Sequence, residues 1–320
     1  MSNKLKCAVI GVGVMGKSHV RTYAQIPHIE LVAISDINAA EGKKVAEQFQ
    51  TKFYQDYREL LEKEKPDIVS VCVPTSFHYP VAKYCMSKKI NILLEKPIAG
   101  SVEEARKLVD FAKKNKVKFL VGRIERFNPA VKHVKMMIKR GDLGQITSLI
   151  FRRVGGFPPQ IKDANIAVDL AIHDIDIANY LLEDLPKSIT VYKKKNHIKR
   201  REDSVDLFLT YKNASAFIEA NWITPVKIRK INITGTDGYL EMDYITQKIE
   251  FYRSNYEKFN ESSGTFSDFI LVFSEPDRLD ISVAKKEPLK EELLYFIDCV
   301  RKNVKIDTSF AVEALKIALH

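Results

Sequence analysis

Gly11-Val12-Gly13-Val14-Met15-Gly16 follows the apolar run Cys7–Ile10 and precedes a helical pattern over Lys17–Gln25. In this G-x-G-x-x-G spacing each glycine has its own task. The first makes a tight turn, the second lets backbone approach a pyrophosphate, and the third lets helix and strand pack closely. Phosphates would sit at the helix N-terminus, where unpaired N–H groups and the helix dipole favour negative charge. The spacing alone is weak, and its context decides. Asp36 stands at the end of the next apolar run, Leu31–Ser35, 20 positions beyond Gly16. A carboxylate there accepts hydrogen bonds from a ribose diol and repels a 2′-phosphate. Neither Ile37 nor Asn38 offers an arginine for such a phosphate. The expected cofactor is therefore NAD rather than NADP. Its expected contacts are Gly11, Gly13, Val14, Met15, Gly16 and Asp36, with Pro74, Thr75 and His78 after a later strand, and Glu95 and Lys96.

Outward from the loop, short apolar runs alternate with helical patterns. Strands are expected at Lys52–Tyr54, Asp67–Val73, Asn91–Glu95 and Val117–Val121, and helices at Ala39–Phe49, Asp56–Lys63, Tyr79–Lys88 and Ser101–Asn115. Apolar strands without alternation are buried on both faces, as in parallel sheets. Strand–helix alternation gives right-handed βαβ units, so residues 1–123 are read as an NAD-binding α/β Rossmann domain with a doubly wound parallel sheet. The pattern changes after a helix at Asn128–Arg140. Strand-like segments then follow one another (Ile146–Val154, Ser188–Lys193, Val205–Tyr211, Ser215–Trp222, Arg229–Thr234, Gly238–Asp243 and Lys248–Tyr252), separated by tight turns and interrupted by one helix, Ala167–Leu182. Tight turns between consecutive strands indicate antiparallel pairing. Residues 124–320 are read as an α+β substrate and oligomerisation domain with a large, open, mostly antiparallel sheet. The closing helices Lys290–Lys302 and Ser309–Leu319 can pack back on the Rossmann domain, and the polar stretch Asn255–Ser267 reads as a loop.

The 320 residues carry a formal net charge of +10, with 45% hydrophobic and 29% charged residues. Length and composition suit two globular domains. The basic residues are spread along the chain, and the one dense run, Lys193–Lys195 with Lys199, Arg200 and Arg201, reads as a solvated strand end. No nucleic-acid partner is expected. No apolar run approaches ~18 residues, so no membrane span is expected. The four cysteines form no CxxC pair; Cys7 and Cys72, inside apolar runs, read as buried small hydrophobes, and a reducing, cytoplasmic setting is expected. No metal site is expected.

Two further motifs carry the chemistry. Glu95-Lys96-Pro97 lies at the C-terminal end of a Rossmann strand, the edge where open α/β sheets bind ligands. Asp169-Leu170-Ala171-Ile172-His173 places an acid and a histidine at i, i+4 on one helix face. With the glycine loop and Asp36, these residues resemble the Gfo/Idh/MocA family of sugar and cyclitol dehydrogenases over nearly the whole chain. The resemblance implies that Lys96, Asp169 and His173 line the pocket beside the nicotinamide. Asp163-Ala164-Asn165-Ile166-Ala167-Val168 replaces the family's usual glycine-rich run before the aspartate. Histidine titrates near neutral pH without much tuning, which suits the base that takes a hydroxyl proton. A lysine can stabilise developing alkoxide charge. Asp169 would orient the substrate, and Lys96 and His173 can share the proton work. Asp174 and Asp176 read as competing acids on the helix surface.

Gly122–Pro129, Arg152–Pro159 and Asp169–Asp176 are similar to a branch of that family that oxidises the C3 hydroxyl of UDP-N-acetylglucosamine. The resemblance implies a 3-keto sugar nucleotide as product, for later transamination. Arg126, Arg152 and Arg153 suit phosphate oxygens, Asn128 joins them as a substrate residue, and Phe157-Pro158-Pro159 reads as a rigid loop near the pocket. The rival readings are an inositol or free-sugar dehydrogenase, and a nucleotide-binding sensor without turnover. The open sheet face is expected to pair subunits into a homodimer or homotetramer.

Overall fold

A computed structural model describes residues 4–157, 165–253 and 277–320. Pro158, Pro159, Asp163, Ala164 and the stretch Asn255–Ser267 lie outside the described residues. The chain divides into two compact units, Met1–Ile124 with Leu289–Lys316, and Glu125–Pro288 with Ile317–His320.

In the first unit, β1 (Leu5–Ile10), β2 (Ile29–Ser35), β3 (Lys52–Tyr54), β4 (Ile68–Val71), β5 (Asn91–Leu94) and β6 (Phe119–Val121) form one parallel sheet in the order β3-β2-β1-β4-β5-β6. The order reverses between β1 and β4, the switch point at which such sheets open a ligand crevice at their strand C-termini. The crossovers are α1 (Val14–Ala24), α2 (Ala39–Gln48), α3 (Tyr57–Glu64), α4 (His78–Ser87) and α5 (Val102–Asn115). Asn38, Asp56 and Ser101 cap α2, α3 and α5 with side-chain oxygens that accept backbone N–H groups. Helix α1 starts three residues before the expected Lys17, because Gly16 belongs to its first turn.

After α6 (Pro129–Arg140), the second unit holds β7 (Ile146–Gly156), α7 (Ile172–Leu182) and strands β8 (Ser188–Lys194), β9 (Ser204–Thr210), β10 (Ser215–Asn221), β11 (Ile223–Gly235), β12 (Gly238–Asp243), β13 (Lys248–Arg253) and β14 (Asp277–Ile281). These strands form an eight-stranded sheet in the order β14-β13-β12-β11-β7-β10-β9-β8. Every neighbouring pair is antiparallel except β7 with β10. Alternation along the strands separates two faces. Leu149, Phe151, Leu207, Ala216 and Ile218 are buried on one, whereas Ile150, Phe208 and Phe217 are exposed on the other. Register places Phe208, Phe217 and Ile150 side by side across β9, β10 and β7.

The closing helices α8 (Pro288–Arg301) and α9 (Ser309–Ala318) lie largely in the first unit. Leu289, Leu293, Phe296 and Ile297 join Cys7, Val9, Tyr23 and Ile34 in one core. Each such side chain contributes about 1.5–3 kcal/mol on burial. The N-terminal fold is therefore completed by the chain's last segment.

Candidate active site

The end of β1 builds a cradle that fits a dinucleotide. Gly11 has φ +87°, and its amide donates to the Ser35 carbonyl oxygen at 2.8 Å. A Cβ on Gly11 would meet the Cys72 carbonyl oxygen at 2.7 Å, and one on Gly16 would meet the Gly11 carbonyl oxygen at 1.9 Å. Gly13 differs: a Cβ there would meet nothing within 4 Å. Gly13 is also the N-cap of α1 and provides no side-chain cap, so the first turn of the helix presents backbone donors. The exposed Val14 and Met15 flank them. Asp36 accepts the Val12 amide on Oδ2 and the Asn38 amide on Oδ1, each at 2.8 Å. Two amides fix the carboxylate and leave it lone pairs for a diol. The adjacent Ile37 is 84% exposed. It offers an apolar surface beside Asp36.

Glu95, Lys96 and Pro97 follow β5. Glu95 Oε1 lies 2.9 Å from His19 Nε2, and Oε2 accepts the Lys96 amide at 3.2 Å. Burial pushes the Glu95 carboxyl up, but His19, the Lys96 charge and the Lys96 amide together bring it below its ordinary range. Gly122 seats this carboxylate, since a Cβ there would stand 3.2 Å from Oε2. His78 was expected to touch the cofactor. It is buried, with Nδ1 2.6 Å from the Pro97 carbonyl oxygen and Nε2 2.9 Å from that of Val73. Its ring braces the loop from inside the fold. Pro74 precedes the single 3₁₀ turn Thr75–Phe77 that leads into α4.

In the second unit, the expected helix Ala167–Leu182 begins as a π-helical turn over Ala167–Ala171 and continues as α7. Wide turns of this kind are frequent at functional sites. Asn165 supports the turn: its Oδ1 accepts the Val168 amide at 3.1 Å and its carbonyl oxygen accepts the Asp169 amide at 2.9 Å. Asn165 belongs to the stretch that replaces the family's glycine-rich run, so this chain caps the turn with a side chain. Asp169 is buried in the turn, and His173 is half-buried in the first turn of α7.

Several expectations give way here. Asp174 and Asp176 are not surface acids. Asp174 takes a bidentate pair from Arg153 at 2.8 Å per bond, and Arg153 Nη1 also donates to Glu125 at 2.8 Å. Burial pulls the Arg153 guanidinium down, but Asp174 and Glu125 hold it well above its ordinary range, so it stays charged. Asp176 takes a bidentate pair from Arg126 at 2.6 and 2.7 Å. These arginines serve α7, rather than standing open to phosphate. Arg152 adjoins Arg153 in β7 and so points to the opposite sheet face, where it pairs with Glu219 at 2.9 Å. It cannot share a site with Asp169. Asn128 is buried, capping α6 through Ala130 N and donating to the Tyr244 carbonyl oxygen at 3.0 Å. Sequence reasoning missed Arg229. Its Nη1 donates to the carbonyl oxygens of Val154 and Ile228, and its charge interacts with Asp169. Burial, then the Arg153 charge, lowers its pKa.

Residues 5–123 match the oxidoreductase family with an NAD-binding Rossmann fold, and residues 131–241 match the GFO/IDH/MocA C-terminal domain. The chain belongs to the Gfo/Idh/MocA family. It is an NAD-dependent dehydrogenase. It is 26% identical over 297 residues to UDP-N-acetylglucosamine 3-dehydrogenase of Acidithiobacillus ferrooxidans, covering 92% of this chain and 88% of that protein. The solved structure of that enzyme superposes with a TM-score of 0.85 at 24% identity, over 99% of this chain and 96% of that one. The chain is also 29% identical over 317 residues to scyllo-inositol 2-dehydrogenase (NAD(+)) of Bacillus subtilis, covering 95% and 88%. A 32% match to an uncharacterized oxidoreductase of the same species spans 187 residues, 57% of this chain and 55% of that protein. Among the described residues, no helix is long and apolar enough to cross a membrane.

Proposed function

We propose that the protein oxidises a secondary alcohol of a sugar to a ketone, with C3 of UDP-N-acetylglucosamine as the leading substrate. The observation that carries the chemistry is the joint presence of the Gly11–Gly16 cradle with Asp36, the braced Lys96 loop, and an Asp169–His173 pair at a π-helical turn. NAD, when bound, supplies the nicotinamide that accepts a hydride. His173 takes the hydroxyl proton. Lys96 is the cationic donor that stabilises alkoxide charge as it develops. Asp169 orients the substrate hydroxyls, and Arg229 balances its charge.

The nucleotide-sugar reading is supported by the whole-length similarity to the Acidithiobacillus ferrooxidans enzyme. A second reading, oxidation of inositol or another free polyol, is favoured by the internal pairing of Arg126 and Arg153, which removes two expected phosphate ligands. Incubation with NAD and either UDP-N-acetylglucosamine or scyllo-inositol, followed by NADH absorbance with an aminotransferase or carbonyl trap to draw the reaction forward, separates the two. NADH from the sugar nucleotide alone supports the first reading, and NADH from the polyol alone supports the second. NADH from neither contradicts both.

Subunit pairing is proposed through the open face of the eight-stranded sheet. The aligned Phe208, Phe217 and Ile150 form an exposed apolar row of a kind that marks interfaces. Sedimentation is expected to show a dimer or tetramer, and Phe217→Asp is expected to shift it toward monomer. A monomeric wild type would contradict the assignment.

A further inference from the structure

The Glu95 carboxylate ends a chain of hydrogen bonds that crosses the core of the first unit. Tyr23 Oη lies 2.9 Å from Ser70 Oγ, and Ser70 Oγ lies 3.0 Å from His19 Nδ1. His19 Nε2 lies 2.9 Å from Glu95 Oε1, and Glu95 Oε2 accepts the Lys96 amide at 3.2 Å. With the ring proton on Nε2, every member donates in one direction: tyrosine to serine, serine to histidine, histidine to carboxylate. Hydrogen bonds aligned in this way polarise and strengthen one another.

Tyr23 is 1% exposed, and Ser70 and His19 are fully buried. Burial pushes the Tyr23 phenol well above its ordinary value. The far end of the chain is therefore closed to solvent and holds its proton. Such a chain does not deliver protons; it fixes a geometry. The fixed object is the loop that carries Lys96. Glu95 is held on one side through His19 of α1, and Pro97 on the other by the His78 ring of α4. Lys96 stands between two anchored neighbours. Histidine suits the α1 position because its two nitrogens can bridge a hydroxyl on one side and a carboxylate on the other. His19 also lies one helical turn beyond Gly16, so the helix that receives the phosphates is tied to the loop of the reacting lysine.

We propose that His19 is a positioning residue for Lys96, joining the phosphate-binding helix α1 to the Glu95-Lys96-Pro97 loop and setting where the lysine ammonium stands. The assignment rests on the proposed role of Lys96, and the tests separate the two. In the full-length protein without ligand, His19→Gln should speed deuterium exchange of the Lys96 amide by about tenfold or more, the scale of losing a buried hydrogen bond to a charged group. The Val69 amide in β4 should exchange as before. With substrate, His19→Gln should lower kcat by about 10- to 100-fold with little change in NAD affinity, as for a small displacement of a reacting group. In a Lys96→Ala background the same change should cost less than about twofold, because its effect passes through the lysine. Ser70→Ala, which keeps the histidine and removes its supporting donor, should act in the same direction with smaller amplitude. It serves if His19→Gln does not fold. Unchanged exchange at Lys96, or an equal loss in both backgrounds, would overturn the proposal. If Lys96→Ala alone leaves kcat intact, the catalytic reading of Lys96 falls, and the exchange result still decides whether His19 holds the loop.

Discussion

Glu95 and Asp174 are buried carboxylates in different units, satisfied by different chemistry. Glu95 receives hydrogen bonds from a histidine chain and a backbone amide. Asp174 receives a bidentate guanidinium. Against the pull of burial, His19 and the Lys96 charge and amide hold the Glu95 carboxyl below its ordinary range. Burial pushes the Asp174 carboxyl above its ordinary range, and the Arg153 guanidinium opposes that shift without overcoming it. The Glu95 arrangement braces the loop of Lys96, the proposed reacting group, whereas the arginine cluster clips α7 to β7. Arg126 and Arg153, read in the sequence as phosphate partners, are paired with carboxylates of α7.

The largest effect is expected at the arginine cluster. Arg153→Met strands the carboxylates of Asp174 and Glu125 and should cost about 3–5 kcal/mol in denaturant unfolding, the usual result of removing one partner of a buried pair. Pairing it with Asp174→Leu should restore much of that loss. A single-variant cost below about 1 kcal/mol would show that the pair does not hold the unit together. Glu95→Gln should cost less, about 1–3 kcal/mol at neutral pH, and the difference should depend on pH. The folded pKa of Glu95 is depressed, so its contribution is fully present above the ordinary value of 4.5 and is lost as pH falls through the lower folded value. The stability gap between wild type and Glu95→Gln should shrink below pH 4.5. A constant gap would remove the charge from the account. Asp36→Ala should have the smallest effect, weakening NAD binding by about tenfold through loss of one charged hydrogen-bond acceptor while relaxing discrimination against NADP. Unchanged cofactor preference would contradict the ribose role.

The parallel sheet and seven strands of the second sheet were legible in the sequence because burial leaves a periodic trace, whereas the exposed edge strand β14 was not expected. The strand β1, the glycine loop and α1 read directly, as did the alternation in β10 and in the Arg229–Thr234 part of β11. What was not legible depended on long-range pairing. The Arg153–Asp174 pair spans 21 positions and the His19–Glu95 contact 76, and no local pattern marks either. Arg152 and Arg153 were both read as phosphate partners, but strand alternation sends the two side chains to opposite faces. His19 was hidden inside an ordinary helical pattern. Its only signal was a histidine one turn after the third glycine, too weak to choose between a buried structural ring and a site. The π-helical turn at Asp169 was also unreadable, since its residues carry the same apolar pattern as an α-helix.

The most direct test of the proposed chemistry compares NADH formation by the wild type, Lys96→Ala and His173→Ala with whichever alcohol the substrate panel identifies, alongside NAD binding by calorimetry. The account predicts that each variant loses about 10²- to 10⁴-fold in kcat, the scale of a positioned proton-transfer or charge-stabilising group, while NAD affinity stays within about threefold. Wild-type rates in both variants, with NAD still bound, would contradict it.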